Sequence, residues 1–529
     1  MAYDDIPVIE IVGGREALWG IRNRDLVPMG GLAQFRNGSL EDHTWRTVGG
    51  AALHGSAPAA AKIMAAMDYW PDTATQRELV MMDDGTLRKG NGSGGGWVTL
   101  ATGLTVANAV PYWSMGGQEV AANTRRAFYC DGVNAPQVLS ADGVATAALS
   151  APAADWSGTN QPLFLTVHEG FMWGGGNLNA PHTVYRSLLA NHQNFTGTPF
   201  SIPLDSGIGE RVVGAISYKG GLLVFKYPEG VWFIDTSDPT PTNWRAVKVA
   251  EPGAVAASAI VLAEDDVFWL SADGTWHRVQ AVTATGSVRA SDLSFRKLGS
   301  LFRDQINRSR LNFADLRYYS NQQRLLLACS ASGATAKSRL VTMDLLRRDD
   351  LGERWGFGDR DNNEALFMRK VNNVLMPAFG DASGQLWNAD QANRNANGLG
   401  YTFEWWTSDS DFGPVNPAFR GRKKNLRYIA LQHDPRGSAT HTVEIWLDGA
   451  LKQTIQFTLA GAGATLPATL PLTLGGSSLV NTRRRRATGQ FTRMALRGYS
   501  TAANEDVSIA RLFIGAELAE GAGQPAVAA

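Results

Sequence analysis

Between residues 217 and 279 the chain repeats a pattern that few folds accept. Four short apolar runs follow one another: Leu222-Leu223-Val224-Phe225, Val231-Trp232-Phe233-Ile234, Ala259-Ile260-Val261-Leu262 and Val267-Phe268-Trp269-Leu270. A fifth, Trp276 to Val279, comes directly after. Gly220-Gly221, Pro228-Glu229-Gly230, Asp265-Asp266 and Asp273-Gly274 separate most of them. Runs of about 4–6 residues, rich in β-branched and aromatic side chains and bounded by turn formers, read as strands in hairpins. Trp232 and Trp269 fall at matching places, each in the second strand of its hairpin. They mark two consecutive copies of one β-module and are assigned, with Trp276 and Trp387, to packing between modules.

The module recurs irregularly over residues 53–397. The other copies lie in residues 62–105 and 106–149, around residues 163–187, around residues 317–356, and over residues 365–390. A spacing of about 40–55 residues suits propeller blades of four strands each. The expected fold is therefore all-β: an irregular β-propeller of six to eight blades with few helices. Gly at 57 and Trp at 16 of 529 residues fit many tight turns and large aromatic anchors.

Other regions differ in character. Residues 1–52 read as an N-terminal extension with one strand near Pro7 to Val12. Residues 294–312 place Leu298, Leu301, Phe302 and Ile306 at helical spacing, which predicts an amphipathic helical insertion. Residues 401–516 alternate apolar and polar in at least six runs, the pattern of an antiparallel β-sandwich with one wet face per sheet. Residues 517–529 carry no pattern and read as a flexible tail.

Motifs for chemistry are sparse. Gly92-Ser93-Gly94-Gly95-Gly96 lacks the Lys-Ser/Thr of a phosphate loop. His168-Glu169 lacks the second His of a zincin helix, and the residues from Asp359 lack the Gly and Glu of a calcium loop. Asp83, Asp131, Asp235 and Asp273 sit in turns, where turn formation accounts for them. Cys130 and Cys329 stand far apart, which excludes a disulfide framework. The expectation is no enzyme activity, no cofactor and no metal. The first residues carry no basic and apolar signal pattern, so synthesis in a reducing cytoplasm is expected. No apolar run is long enough for a membrane span.

Lys+Arg and Asp+Glu both number 49, so affinity from overall basicity is not expected. Two basic clusters stand out locally: Arg483-Arg484-Arg485-Arg486, read as lying between sandwich strands, and Arg422-Lys423-Lys424. Guanidinium groups pair with carboxylates and phosphates in forked geometry. These residues are the candidate subunit or partner interface, with a solvated loop and a DNA contact as the other readings.

One resemblance follows from these residues. The Gly-rich opening from Pro28 to Leu40, blade turns from Gly220 to Asp235, and the run from Glu251 through Asp266 to Gly274 resemble the β-propeller tail proteins of tailed bacteriophages, nearest the tail nozzle or hub of short-tailed phages. The resemblance implies a virion protein of the tail, assembled in the host cytoplasm. It implies a six-fold homo-oligomeric ring that contacts adaptor and fibre or spike proteins and encloses DNA without sequence-specific binding. The alternatives are a phage-surface propeller that binds or degrades glycans, and a siphophage-type tail-tip or head-tail connector component.

Overall fold

The computed structural model describes residues 8–12, 32–41, 44–106, 108, 110–116, 125–196, 200–204, 210–282, 287–293, 304–349, 352–359, 363–392, 394–396, 399–434, 438–460, 481–503 and 505–519. Seven antiparallel blades surround one axis. Five are separate four-stranded sheets, built in chain order from residues 63–101, 112–148, 164–203, 211–252 and 260–292. Blade 6 begins at Asp315–Tyr319 and blade 7 at Ala365–Val371, and both are embedded in larger sheets. The first strand of each blade touches the first strand of the next, and Ala365–Val371 returns to Ile63–Tyr69 of blade 1.

Turn chemistry sets the register. Glu169 and Gly170, Lys219 and Gly220, and Asn372 and Asn373 all have positive φ. Two such residues in succession make the turn whose twist matches a hairpin. Elsewhere a carboxylate holds the loop. Asp381 accepts from the N–H of Ser383 and of Gln385, both at 2.8 Å. Asp131 accepts from Val133 and Asn134, and Asp273 from Thr275. Asp83 receives the Lys62 N–H and Asp235 that of Ser237.

Trp232 and Trp269 are not equivalent. Trp269 is in the second strand of blade 5, Asp266–Leu270, but Trp232 is in the third strand of blade 4, Glu229–Asp235. A blade contains several look-alike hairpins, so local similarity aligns two modules one strand out of step.

The described residues among the first 52 pair with the propeller and the sandwich and do not stand apart. Gly50–Leu53 supplies the fourth strand of blade 7, pairing antiparallel with Leu386–Gln391. Leu32–Arg36 lies between the last strand of blade 6, Gly352–Asp359, and the sandwich strand Phe403–Thr407. Blade 6 thus continues into one face of the sandwich as a nine-stranded sheet. The opposing sheet runs Gly38–Glu41, Thr44–Thr47, Ser508–Leu518, Lys424–His433, Asn481–Phe491, with Val8–Val12 also on Ser508–Leu518. Leu32, Phe35 and Trp45 are at most 1% exposed, in one core with Trp276, Trp355, Trp405 and Ile429. Their local neighbours could not bury them, which is why these short strands pair with residues hundreds of positions away. A chain beginning at residue 54 is therefore expected to lose its cooperative thermal transition, as read by circular dichroism.

Residues 294–303 of the expected helix lie outside the described residues. The remainder is not a continuous helix. Ile306 forms a β-bridge with Ala331, and Asn307 caps a short 3-10 turn, Arg308–Phe313, accepting from the Ser309 N–H. An Asn side chain that bonds nearby backbone competes with helix propagation. The Pro28 to Gly31 part of the Gly-rich opening, and residues 520–529 of the tail, lie outside the described residues.

Candidate functional site: the arginine edge strand and the propeller axis

The four arginines lie in a strand, Asn481–Phe491, and not in a loop. Among the described residues this strand is the last of its sheet, with its neighbour Lys424–His433 on one side. Arg483 pairs with Leu431, Arg484 with Ala430, Arg485 with Ile429 and Arg486 with Tyr428. Side chains alternate along a strand. Arg483 and Arg485 therefore share the face of the core residues Leu431 and Ile429, and Arg484 and Arg486 take the other. All four are exposed.

The Arg484 guanidinium lies 3.5 Å from the centroid of the Tyr428 ring, a cation–π contact that fixes its direction. Among the described residues no carboxylate forms an ion pair with Arg483, Arg485 or Arg486. Gln453 from the facing sheet reaches the strand, its side chain accepting from the Thr488 N–H at 3.3 Å. The cations thus stand on a backbone held from two sides. A basic edge also blunts unwanted strand addition.

The second cluster divides. Lys423 is exposed and Arg422 half-buried, but Lys424 is fully buried. Lys424 Nζ donates to the carbonyls of Phe419 at 2.9 Å and Arg422 at 2.6 Å, against the rings of Phe419 and Phe491. Burial pulls its ammonium below the usual lysine range, opposed by the charge of Asp411. Lys424 is a structural cation that ties down its turn and is removed from the interface set. Nothing in the sequence around it separates it from Lys423.

The tryptophans assigned to blade packing have distinct places. Trp269 meets Phe225 of blade 4 edge to face at 5.4 Å, and Trp276 meets Trp355 of blade 6 at 5.1 Å. Trp387 stacks on Phe379 within blade 7 and donates to Asp381. Trp232 is half-buried, with Lys226 Nζ 6.0 Å from its ring.

A cavity of about 340 Å³ occupies the propeller axis. Its wall includes Met67, Met115, Ile216, Leu262 and Met368, with Arg317 at its side. Arg317 donates to the carbonyls of Ser258 at 3.0 Å and Leu316 at 2.8 Å and reaches Asp315 at 3.3 Å. Asp68 accepts from Trp70, Gln76 and the Lys370 N–H. The charged groups at the axis are thus engaged within the chain. The volume suits at most a small ligand. It stands at the low end of small-ligand pockets, far below the space that a nucleic-acid duplex fills.

Among the described residues no cluster of three or more His, Cys, Asp or Glu is arranged to hold a metal ion. No helix there is long and apolar enough to cross a membrane.

The protein is an all-β chain in which a seven-bladed propeller and a β-sandwich share one sheet. It matches no protein-family model and no curated protein. Among solved structures it is similar to a computationally designed protein, Ika8, at 12% identity, covering 64% of this chain and 98% of that one with a TM-score of 0.37. It is similar at 11% identity to a chain of a mitotic checkpoint complex, covering 65% and 94% with a TM-score of 0.38. A third similarity is to YCF48 bound to a D1 peptide, at 10% identity, 65% and 95% coverage and a TM-score of 0.36. Likeness at this level carries no functional argument, and the fold rests on the strand pairing above.

Proposed function

We propose that the protein is a non-enzymatic structural component of a bacteriophage tail, a nozzle or hub that forms a six-fold ring around the DNA-ejection path. The observation that carries this reading is the arginine edge strand. The exposed guanidinium groups of Arg483, Arg485 and Arg486, with which no carboxylate among the described residues forms an ion pair, fit an acidic face on a neighbouring subunit or on an adaptor protein. The shared sheet supports the reading as well, because it makes propeller and sandwich one wedge, and wedges of one kind close rings through heterologous contacts. In this reading the DNA path runs between subunits and not through a propeller, in keeping with an axial cavity of only about 340 Å³.

The isolated chain is expected to populate several oligomers, with the ring completed on the virion. Changing Arg483, Arg484, Arg485 and Arg486 together to Glu is expected to leave the melting temperature nearly unchanged, since all four are exposed. It should abolish incorporation into particles and shift native mass spectra to monomer. Wild-type assembly by this variant, or a wild-type chain found only as a monomer outside any particle, would remove the proposal.

A further inference from the structure

A second site lies between blades 3 and 4. His168 ends the first strand of blade 3, Phe164–His168, and is 2% exposed. Its Nδ1 lies 2.8 Å from Ser217 Oγ, on the first strand of blade 4. Its Nε2 lies 2.7 Å from Thr236 Oγ1, just past the third strand of the same blade. Ser217 is exposed, whereas Thr236 is 4% exposed.

The proton positions follow from the partners. Thr236 Oγ1 donates its single hydrogen to the carbonyl of Gly220 at 3.1 Å. In that arrangement it accepts from His168, and Nε2 carries the ring proton, on the side of the Glu169 carboxylate 3.8 Å away. A neutral imidazole has one donor and one acceptor nitrogen. Nδ1 is therefore the acceptor, and the Ser217 hydroxyl donates to it. A solvent-facing hydroxyl, a buried neutral base at hydrogen-bond distance and a third group orienting that base are the parts of an activated nucleophile. Burial supports the neutral ring, pulling His168 below the usual histidine value against the opposing charge of Glu169.

We propose that Ser217 is an acyl- and phosphonyl-accepting hydroxyl, with His168 as its general base and Thr236 as the positioning residue that selects the tautomer. The proposal adds one stoichiometric covalent modification, without turnover, to the structural role above and does not depend on that role. In the acyl case Oγ bonds to the carbonyl carbon of an ester as its proton passes to Nδ1. The carbon–alkoxide bond then breaks, and the alkoxide leaves as the alcohol with the proton from Nδ1. With a fluorophosphonate an Oγ–P bond forms, the P–F bond breaks, and fluoride leaves with that proton. The reactants are small electrophiles that reach Ser217 from solvent.

The test is labelling of the full chain with a fluorophosphonate, followed by peptide mass mapping. The adduct is expected on Ser217 in preference to other exposed serines, and Ser217→Ala should remove it. His168→Gln should slow labelling on the order of 100-fold. Thr236→Val, which keeps shape but removes the acceptor, should slow it roughly tenfold without abolishing it. The rate should rise with pH as the base loses its second proton, with the midpoint below the usual histidine value. Glu169 Oε2, 3.8 Å from Nε2, is the charged group against the ring, and Lys219 and Asp235 flank Ser217 and Thr236 on blade 4. Adducts spread over exposed serines without preference would overturn the proposal. So would a Ser217 rate unchanged by Thr236→Val and flat with pH. If His168→Gln fails to fold, those two measurements still decide.

Discussion

Replacing Arg369 with Met is expected to destabilise the propeller by about 3–5 kcal/mol, the usual consequence of stranding one member of a buried ion pair. Arg369 is on the first strand of blade 7 and Glu78 on the second strand of blade 1, so the pair spans the seam where the ring closes. Glu78 is fully buried and its Oε1 lies 3.3 Å from Arg369 and 2.8 Å from His54 Nε2. Its Oε2 accepts from the Gly92 N–H at 2.8 Å, and Arg369 donates to the Gly92 carbonyl at 2.6 Å. His54 directly follows the strand that completes blade 7, and the Ser56 N–H continues the seam to the Gly94 carbonyl at 2.7 Å. Even Gly90 is constrained, since a Cβ there would meet Glu78 Oε2 at 2.4 Å. Urea melts of Arg369→Met against wild type read the loss directly.

The same cluster sets an acid limit. Burial works to raise the Glu78 carboxyl, but the hydrogen bonds from His54 and Gly92 and the charge of Arg369 outweigh it and hold the carboxyl below the usual glutamate value. A carboxyl depressed on folding stabilises above its unfolded pKa and loses that contribution as pH falls through the folded one. The seam is therefore expected to weaken below about pH 4.5. Glu78→Gln, less stable at neutral pH, should show a shallower acid loss.

The sandwich is expected to lose about 1.4 kcal/mol per pH unit as pH falls from about 6.5 towards 3, through one residue, His441. Burial pushes this imidazole down to about 3. Trp405 Nε1 donates to His441 Nε2 at 3.0 Å, which makes Nε2 the acceptor. Nδ1 then donates to Ser500 Oγ at 2.9 Å, and the Ser500 hydroxyl donates to the Thr440 carbonyl at 3.0 Å. A second proton on the ring would turn Nε2 into a donor facing a donor. The sign is that of a group whose folded pKa is depressed: full stability above the unfolded value, falling as acid titrates the unfolded chain first. His441→Gln supplies a donor and an acceptor and should flatten this part of the pH profile. Trp405→Ala should lose about 3–5 kcal/mol at neutral pH, since the ring also packs on Trp45 at 5.6 Å. Chemical denaturation from pH 7 to 4 distinguishes the two.

The local elements were legible in the residues alone: short strands, the turns between them, a recurring module whose number stayed between six and eight, and an alternating C-terminal region. These are legible because strand period and turn chemistry act over a few residues. The arginine run was legible as well, since four adjacent guanidinium groups need no partner to be noticed. Long-range pairing alone sets how the ring closes, joins the described residues of 32–53 to both the sandwich and blade 7, buries Lys424 but not Lys423, and brings His168 to Ser217 and Thr236. Strand edges and buried polar groups take partners from distant parts of the chain, and nothing in the spacing of either partner names the other.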